Sequence, residues 1–311
     1  MIAKLAGSTG FRALLTAVVL LYLLLTIDLV EAGRAIARLP LLSVVIVLGL
    51  LAADRVVAIW RWIVLVRATG QQVSVKSAAW IHMVSSFVGV ATPGGIGGDA
   101  ARAYTLTQRT AQGSDAVASI AMDRVLGLFS LVLVGLFGVL LWGHQTGTPA
   151  AGLALLAVIG GLGCVALLWI DRFVGVLVPL RLRSTRIGIK VVRIADAISQ
   201  YRGHQGVLAF VLTLSVVVQF LRILQAYVMG TGIGMTIGFI YYLVFMPVGL
   251  ITMLLPISLG GFGLPQLSFV LLLEAQGVPR PDALALSTLI IVTGLVANLP
   301  GALLYLRSRR A

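Results

Sequence analysis

The sequence predicts an all-α integral membrane protein: a polytopic helical bundle of about six full spans plus two re-entrant hairpins of broken helix. Three observations predict it. Of the 311 residues, 59% are hydrophobic and 11% are charged, and the mean hydropathy is +1.08. Soluble domains of this length do not have that composition. The apolar residues also gather in runs long enough to cross a hydrocarbon layer, which takes about 20 residues of helix. Finally, two apolar segments are interrupted by clustered glycine and proline, which break a helix. The whole chain, residues 1–311, reads as a single transmembrane domain.

The elements follow in order. Span one, Ala13–Val30, is longer than a usual signal-peptide core and is expected to stay as an anchor. Span two is Leu41–Val66. The first hairpin covers residues 78–108. Within it, Pro93, Gly94, Gly95, Gly97 and Gly98 put four glycines and a proline into six residues. Asp99 then reads as an N-cap, with Ala100–Tyr104 opening a new helix. Span three is Val117–Trp142 and span four Ala150–Ile170. The longest polar stretch, residues 171–206, reads as a basic loop holding one amphipathic helix. Span five is Val207–Met229. The second hairpin, residues 237–274, turns at Gly260, Gly261 and Gly263, and span six is Ala283–Leu306.

Charge sets the orientation. Lys4 and Arg12 precede span one, Arg67 and Lys76 follow span two, and Arg109 follows the first hairpin. Seven basic residues (Arg172, Arg181, Arg183, Arg186, Lys190, Arg193, Arg202) lie between spans four and five, and Arg307, Arg309 and Arg310 close the chain. If both hairpins return to their own side, all these groups share one face. By the positive-inside rule that face is cytoplasmic, so both termini are expected in the cytoplasm of a cell with this protein in its inner membrane. The net charge of +13 is thus explained by topology and does not call for nucleic acid.

The two glycine loops share a Gly-Gly-apolar-Gly core, and each follows an apolar limb containing proline (Pro93, Pro256). Entering from opposite faces, they predict the inverted repeat of many transporters, with a site near the midplane. Chance is the competing explanation in a chain with 35 glycines. The first loop has two readings as well. Its bare N–H groups at a helix start suit a phosphate or similar anion. Alternatively it is a tight turn whose glycines serve packing.

Charges inside the apolar segments are functional candidates, because each is costly unless paired or solvated. They are Asp54, Arg55 and Arg61 in span two, Asp123 and Arg124 in span three, and Arg222 in span five. Mutual pairing that only sets helix register is the alternative. In span five, Ser215, Gln219, Arg222 and Gln225 step by four, three and three, which places them on one helical face. Ser119, Asp123 and Ser130 do the same in span three. Arg55, Arg61, Arg102, Arg124 and Arg222 outnumber Asp54, Asp99 and Asp123, and a surplus of guanidinium suits a phosphate-bearing headgroup. Asp99 and Arg102 could instead pair with each other at i and i+3.

No catalytic set, Walker loop or dinucleotide fingerprint is present, and no cofactor is expected. The single cysteine, Cys164, excludes a disulfide framework, and His82, His144 and His204 have no metal-ligand spacing.

Three segments together resemble a known family. They are Pro93–Tyr104, then Met122-Asp123-Arg124-Val125-Leu126-Gly127, then Leu255-Pro256-Ile257-Ser258-Leu259-Gly260-Gly261-Phe262-Gly263. In order and spacing they look like the signatures of the lysylphosphatidylglycerol synthase transmembrane region family, whose members are also called flippase-like integral membrane proteins. The resemblance implies a bacterial or archaeal membrane protein that moves or presents a lipid. In two-domain members this region flips an aminoacylated lipid made by a cytoplasmic aminoacyl-transferase domain. This chain ends at Ala311 without such a domain, so the synthase activity is not carried over. It also departs from the family after the second glycine loop: where an arginine–glutamate pair is frequent, it reads Leu264-Pro265-Gln266.

The expected function is a lipid flippase or carrier, not an enzyme. An anionic headgroup, from a phospholipid or a polyisoprenyl phosphate, would sit between the hairpins. The candidate binding residues are Asp99, Arg102, Asp123, Arg124, Gln219, Arg222, Arg55 and Arg61, with Gly94, Gly95, Gly97, Gly98, Gly260, Gly261 and Gly263. One alternative is a non-transporting accessory subunit that binds lipid and docks a glycosyltransferase or other lipid-modifying enzyme. Another is a membrane transferase using Asp99 or Asp123 as base. Lipid identity, direction, energy coupling and oligomeric state are left open by the sequence.

Overall fold

The computed structural model describes residues 37–90, 92, 95–110, 113–147, 186–254 and 264–308, with isolated positions at 30, 33–34, 158, 160–163 and 166. Predicted spans one and four, the turn of the second hairpin with Gly260, Gly261 and Gly263, Gly94, and the Arg172–Arg183 part of the basic loop lie outside these, apart from the isolated positions. Every regular element among the described residues is helical: α1 Leu41–Ala68, α2 Val75–Val90, α3 Ile96–Thr110, α4 Gly113–Thr146, α5 Arg186–Gln200, α6 Gln205–Gly232, α7 Phe239–Leu254, α8 Leu264–Glu274, α9 Arg280–Val296 and α10 Leu299–Ser308. A single 3-10 turn, Tyr201–Gly203, joins α5 to α6.

Among the described residues, four stretches are long and apolar enough to cross a membrane: α1, α4, α6, and α9 with α10. α1 and α6 have 28 residues each. At ~1.5 Å per residue they reach about 42 Å, more than a ~30 Å hydrocarbon layer requires. They pack along each other, α4 lies against both, and α7 lies on α4. The result is an all-α membrane bundle. Span six is corrected in one respect. It is not one helix but two, interrupted at Ala297 and Asn298. Pro300 explains the break, because it has no N–H to donate and its ring would press on the carbonyl one turn earlier.

Each hairpin is a pair of packed short helices. α2 and α3 approach so closely that a Cβ on Gly98 would lie 2.5 Å from the Ser85 carbonyl oxygen and 2.9 Å from Gly89 Cα. The far ends of this hairpin meet, since Arg109 on α3 donates to the Ser77 hydroxyl on α2 and lies over the Trp80 ring. Arg67 and Lys76 are at that same end. So is the foot of α5, where the Tyr201 hydroxyl donates to the Leu65 carbonyl at 3.0 Å. α5 is amphipathic: Ala195, Ala197 and Ile198 are buried while Arg193 and Asp196 are exposed.

The α7–α8 hairpin starts from the other end. Tyr241 near the start of α7 stacks 5.8 Å from Trp142 near the end of α4, and its hydroxyl donates to the Leu272 carbonyl near the end of α8 at 2.6 Å. The helix pairs α2–α3 and α7–α8 therefore begin at opposite ends of the bundle. Gly249 admits the Phe269 ring, which a Cβ would meet at 1.9 Å.

Backbone contact makes a testable demand. A Cβ on Gly301 of α10 would lie 2.1 Å from the Met83 carbonyl of α2, whereas one on Gly49 of α1 meets nothing within 4 Å. Gly98→Ala and Gly301→Ala are each expected to destabilise by about 1–3 kcal/mol through overpacking. Gly49→Ala should be neutral or stabilising by up to about 1 kcal/mol. Thermal unfolding in detergent reads the difference, and equal midpoints for all three variants would contradict the close packing.

Candidate functional site

Among the described residues, four helices carry the charges singled out in the apolar segments, and the fold brings these together. Asp54, Arg55 and Arg61 come from α1, Asp99 and Arg102 from α3, Asp123 and Arg124 from α4, and Arg222 from α6. Their arrangement falls into three groups.

Asp123 is a buried carboxylate shared by two arginines. Arg61 donates to its Oδ1 through Nε at 2.8 Å, with Nη2 also at 2.8 Å. Arg102 donates to Oδ2 through Nη1 at 3.2 Å. Two further donors reach hydroxyls: Arg61 Nη1 to Ser215 at 3.1 Å, and Arg102 Nε to Ser85 at 3.4 Å. The Arg102 guanidinium lies 5.3 Å from the centre of the Trp62 ring, a cation–π contact. The second group is on α1 and α6, where buried Asp54 accepts from Arg222 Nε at 3.0 Å and faces Arg55 Nε at 3.6 Å. The third is Asp99, which accepts from Arg124 Nε at 2.8 Å.

Two expectations about Asp99 are corrected. It is not an N-cap, because α3 begins at Ile96 and Asp99 lies inside its first turn, where a carboxylate still suits the helix dipole. Thr92 serves the helix start instead. Its hydroxyl accepts from the Gly97 N–H at 3.0 Å and its carbonyl from the Gly95 N–H at 3.2 Å. Asp99 does not pair with Arg102 either. Arg102 reaches Asp123 across the bundle while Asp99 takes Arg124.

A cavity of about 340 Å³ opens beside these groups. Arg55, Arg102, Arg124, Arg222, Asp54 and Asp99 line one side, and Met229, Met246, Leu250, Met253, Ile290 and Ile291 line another. Side-chain exposure separates the arginines: 41% for Arg124 and 36% for Arg222, against 11% for Arg61 and 9% for Arg102. Arg124 and Arg222 thus offer their guanidinium groups to the cavity, whereas Arg61 and Arg102 are consumed by Asp123. Gly95, at φ +72°, has a steric reason here, because a Cβ would meet Arg124 Nη2 at 2.9 Å. Gly98 lines the cavity, and the Gly95 and Gly97 amides are already paired with Thr92.

Arg61, Asp123 and Gln219 stand behind the lining. Gln219 donates to the Gly127 carbonyl at 3.3 Å and the Ser130 hydroxyl at 3.2 Å, tying α6 to α4. Gln266, at the departure from the family pattern, is buried and donates to Thr288 at 3.2 Å, tying α8 to α9. Ser85, Ser86, Thr92 and Asn298 line the cavity without having been singled out from the sequence. Their signal was present as polar residues inside apolar segments, and in Asn298 as a polar residue ahead of a proline.

The fold and this site define a polytopic helical membrane protein with a charged interior cavity. The family model for the lysylphosphatidylglycerol synthase TM region matches residues 2–301, and the chain belongs to that family. Comparison with curated proteins and with solved structures gave no match. The chain is therefore a multi-pass membrane protein of a lipid-related family.

Proposed function

We propose that the protein binds the anionic headgroup of a membrane lipid in this cavity and carries the lipid between leaflets. One observation carries the reading: among the described residues of this cluster, five arginines face three aspartates, two more positive charges than negative inside a membrane bundle. Uncompensated charge at such depth is expensive, and a phosphate would compensate it. Arg124 and Arg222 supply the forked donors that match phosphate oxygens. The methionine and isoleucine wall suits the first carbons of the chains. In this reading the arginine side chains hold the anion, and the glycine loop shapes the wall.

The role in this reading is that of a carrier, a reading supported by the pairing of both cavity-lining aspartates, Asp54 and Asp99, with arginine. The hairpins would be re-entrant, and the end bearing Arg67, Lys76 and Arg109 would face the cytoplasm in an inner membrane. Reconstitution into vesicles tests the reading with a fluorescent phosphatidylglycerol whose outer-leaflet label is quenched by a membrane-impermeant reductant. Wild-type protein is expected to expose close to all of the label. Protein-free vesicles expose about half, simply by leaflet symmetry. Arg124→Gln with Arg222→Gln should return the signal to that half. Lipid binding without added exposure would favour the non-transporting accessory subunit instead.

A further inference from the structure

We infer that the end of the bundle opposite Arg67, Lys76 and Arg109 carries a second binding site, and that it takes a neutral hexose unit, free or as the headgroup of a glycolipid. A cavity of about 410 Å³ opens there. Three separate segments line it: Trp142 and Gln145 at the end of α4, Thr236 and Tyr241 at the entry to α7, and Gln276 in the turn after α8. It shares no lining residue with the interior cavity. Along α4, Trp142 lies about 44 Å from Gly113 at ~1.5 Å per residue. That is further than a ~30 Å hydrocarbon layer, so the site is at headgroup level, within reach of water and of the leaflet.

The chemistry of the lining points to a sugar. Among the described residues no charged side chain lines this cavity, so an ionic headgroup finds no counter-charge in it. Gln145, Thr236 and Gln276 are exposed, which leaves their polar groups open to a ligand. Amides and hydroxyls both donate and accept, as the hydroxyls of a sugar require. Trp142 is half-buried, with its ring centre 5.8 Å from that of Tyr241. The Tyr241 hydroxyl is occupied by the Leu272 carbonyl, so Tyr241 props the indole. An aromatic face carries partial negative charge, and the C–H face of a pyranose is partially positive, so the two attract. Interfacial Trp and Tyr also serve simply as membrane anchors. An anchor turns its rings to lipid, however, whereas Tyr241 is 6% exposed and polar side chains of two other segments converge on the Trp142 cavity.

The test compares two uncharged lipids. Purified protein in a polyoxyethylene detergent, which carries no sugar, is titrated with diglucosyldiacylglycerol and with diacylglycerol of identical chains. Binding is read by native mass spectrometry. Wild type is expected to bind the glycolipid about tenfold tighter, the equivalent of ~1.4 kcal/mol. Trp142→Leu and Gln276→Ala should each remove most of that preference, and Trp142→Phe should keep it. Gln276 is exposed, so its variant decides if Trp142→Leu does not fold. Arg124→Gln with Arg222→Gln should leave the preference unchanged, which reads this site separately from the interior anion site. Excess maltose tells the sources apart: displacement of the glycolipid assigns the site to the sugar itself, and persistence assigns it to the lipid-borne sugar. Equal binding of the two lipids, or a preference that Trp142→Leu and Gln276→Ala leave intact, overturns the site and leaves the two rings as a membrane anchor. A preference lost in the double arginine variant places the sugar in the interior cavity and overturns it too.

Discussion

Asp123→Asn is expected to prevent accumulation of a folded protein. The substitution changes one atom in shape terms, but it leaves Arg61 and Arg102 facing a neutral amide from buried positions. Removing one partner from a buried ion pair destabilises by about 3–5 kcal/mol. Two arginines share this carboxylate, so the effect lies at the upper end. Against a total stability of about 5–15 kcal/mol, that is a large share. The check is monodispersity on size exclusion together with the thermal midpoint. A companion variant separates charge from shape: Arg61→Met, Arg102→Leu and Asp123→Leu combined should recover a folded bundle, because no buried charge remains. Recovery by the triple variant with failure of the single one would place this group in the framework of the bundle. An Asp123→Asn protein as stable as wild type would mean that the two arginines find other partners, and the clamp described here would not hold.

Arg222→Glu is expected to give the largest loss of anionic lipid binding, roughly a hundredfold or more, since like charges brought together cost several kcal/mol. It sets a carboxylate against Asp54, which now accepts from Arg222 at 3.0 Å, and it removes the surplus of two positive charges. Arg222→Gln should lose about tenfold, because it deletes one charge-assisted donor without adding repulsion. Arg222 is 36% exposed and Asp54 keeps Arg55 at 3.6 Å, so Arg222→Gln should fold, and the thermal midpoint of Arg222→Glu is measured beside its binding. Phosphatidylglycerol titrations followed by native mass spectrometry give both numbers. A binding constant unaffected by charge reversal would remove the anion site from this cavity.

The division between chain and fold can be stated residue by residue. Hydropathy runs alone placed α1, α4 and α6 to within a few residues, because a helix in lipid must be apolar along its length and long enough to close its own hydrogen bonds. The break at the first glycine loop and the inward turn of Ser215, Gln219, Arg222 and Gln225 were equally legible. They depend on helical spacing within one segment. So did the surplus of arginine, which is a count. What no spacing rule supplied was which arginine meets which carboxylate. Arg61 and Asp123 are 62 residues apart, and Arg222 and Asp54 are 168 apart. Periodicity tells which face a side chain occupies, but not the height at which two helices pass. Packing decides that height, through contacts such as Gly98 on Ser85 and Gly301 on Met83. Hence Arg102, at a helix start beside the glycine loop, stood among the candidate ligands on the same footing as Arg124 and Arg222. The fold spends it on Asp123 and turns Arg124 and Arg222 to the cavity instead. The break at Asn298 belongs to the same class. Pro300 explains it, although the span was read as unbroken, and only the neighbouring helices make an amide in that break part of a cavity wall.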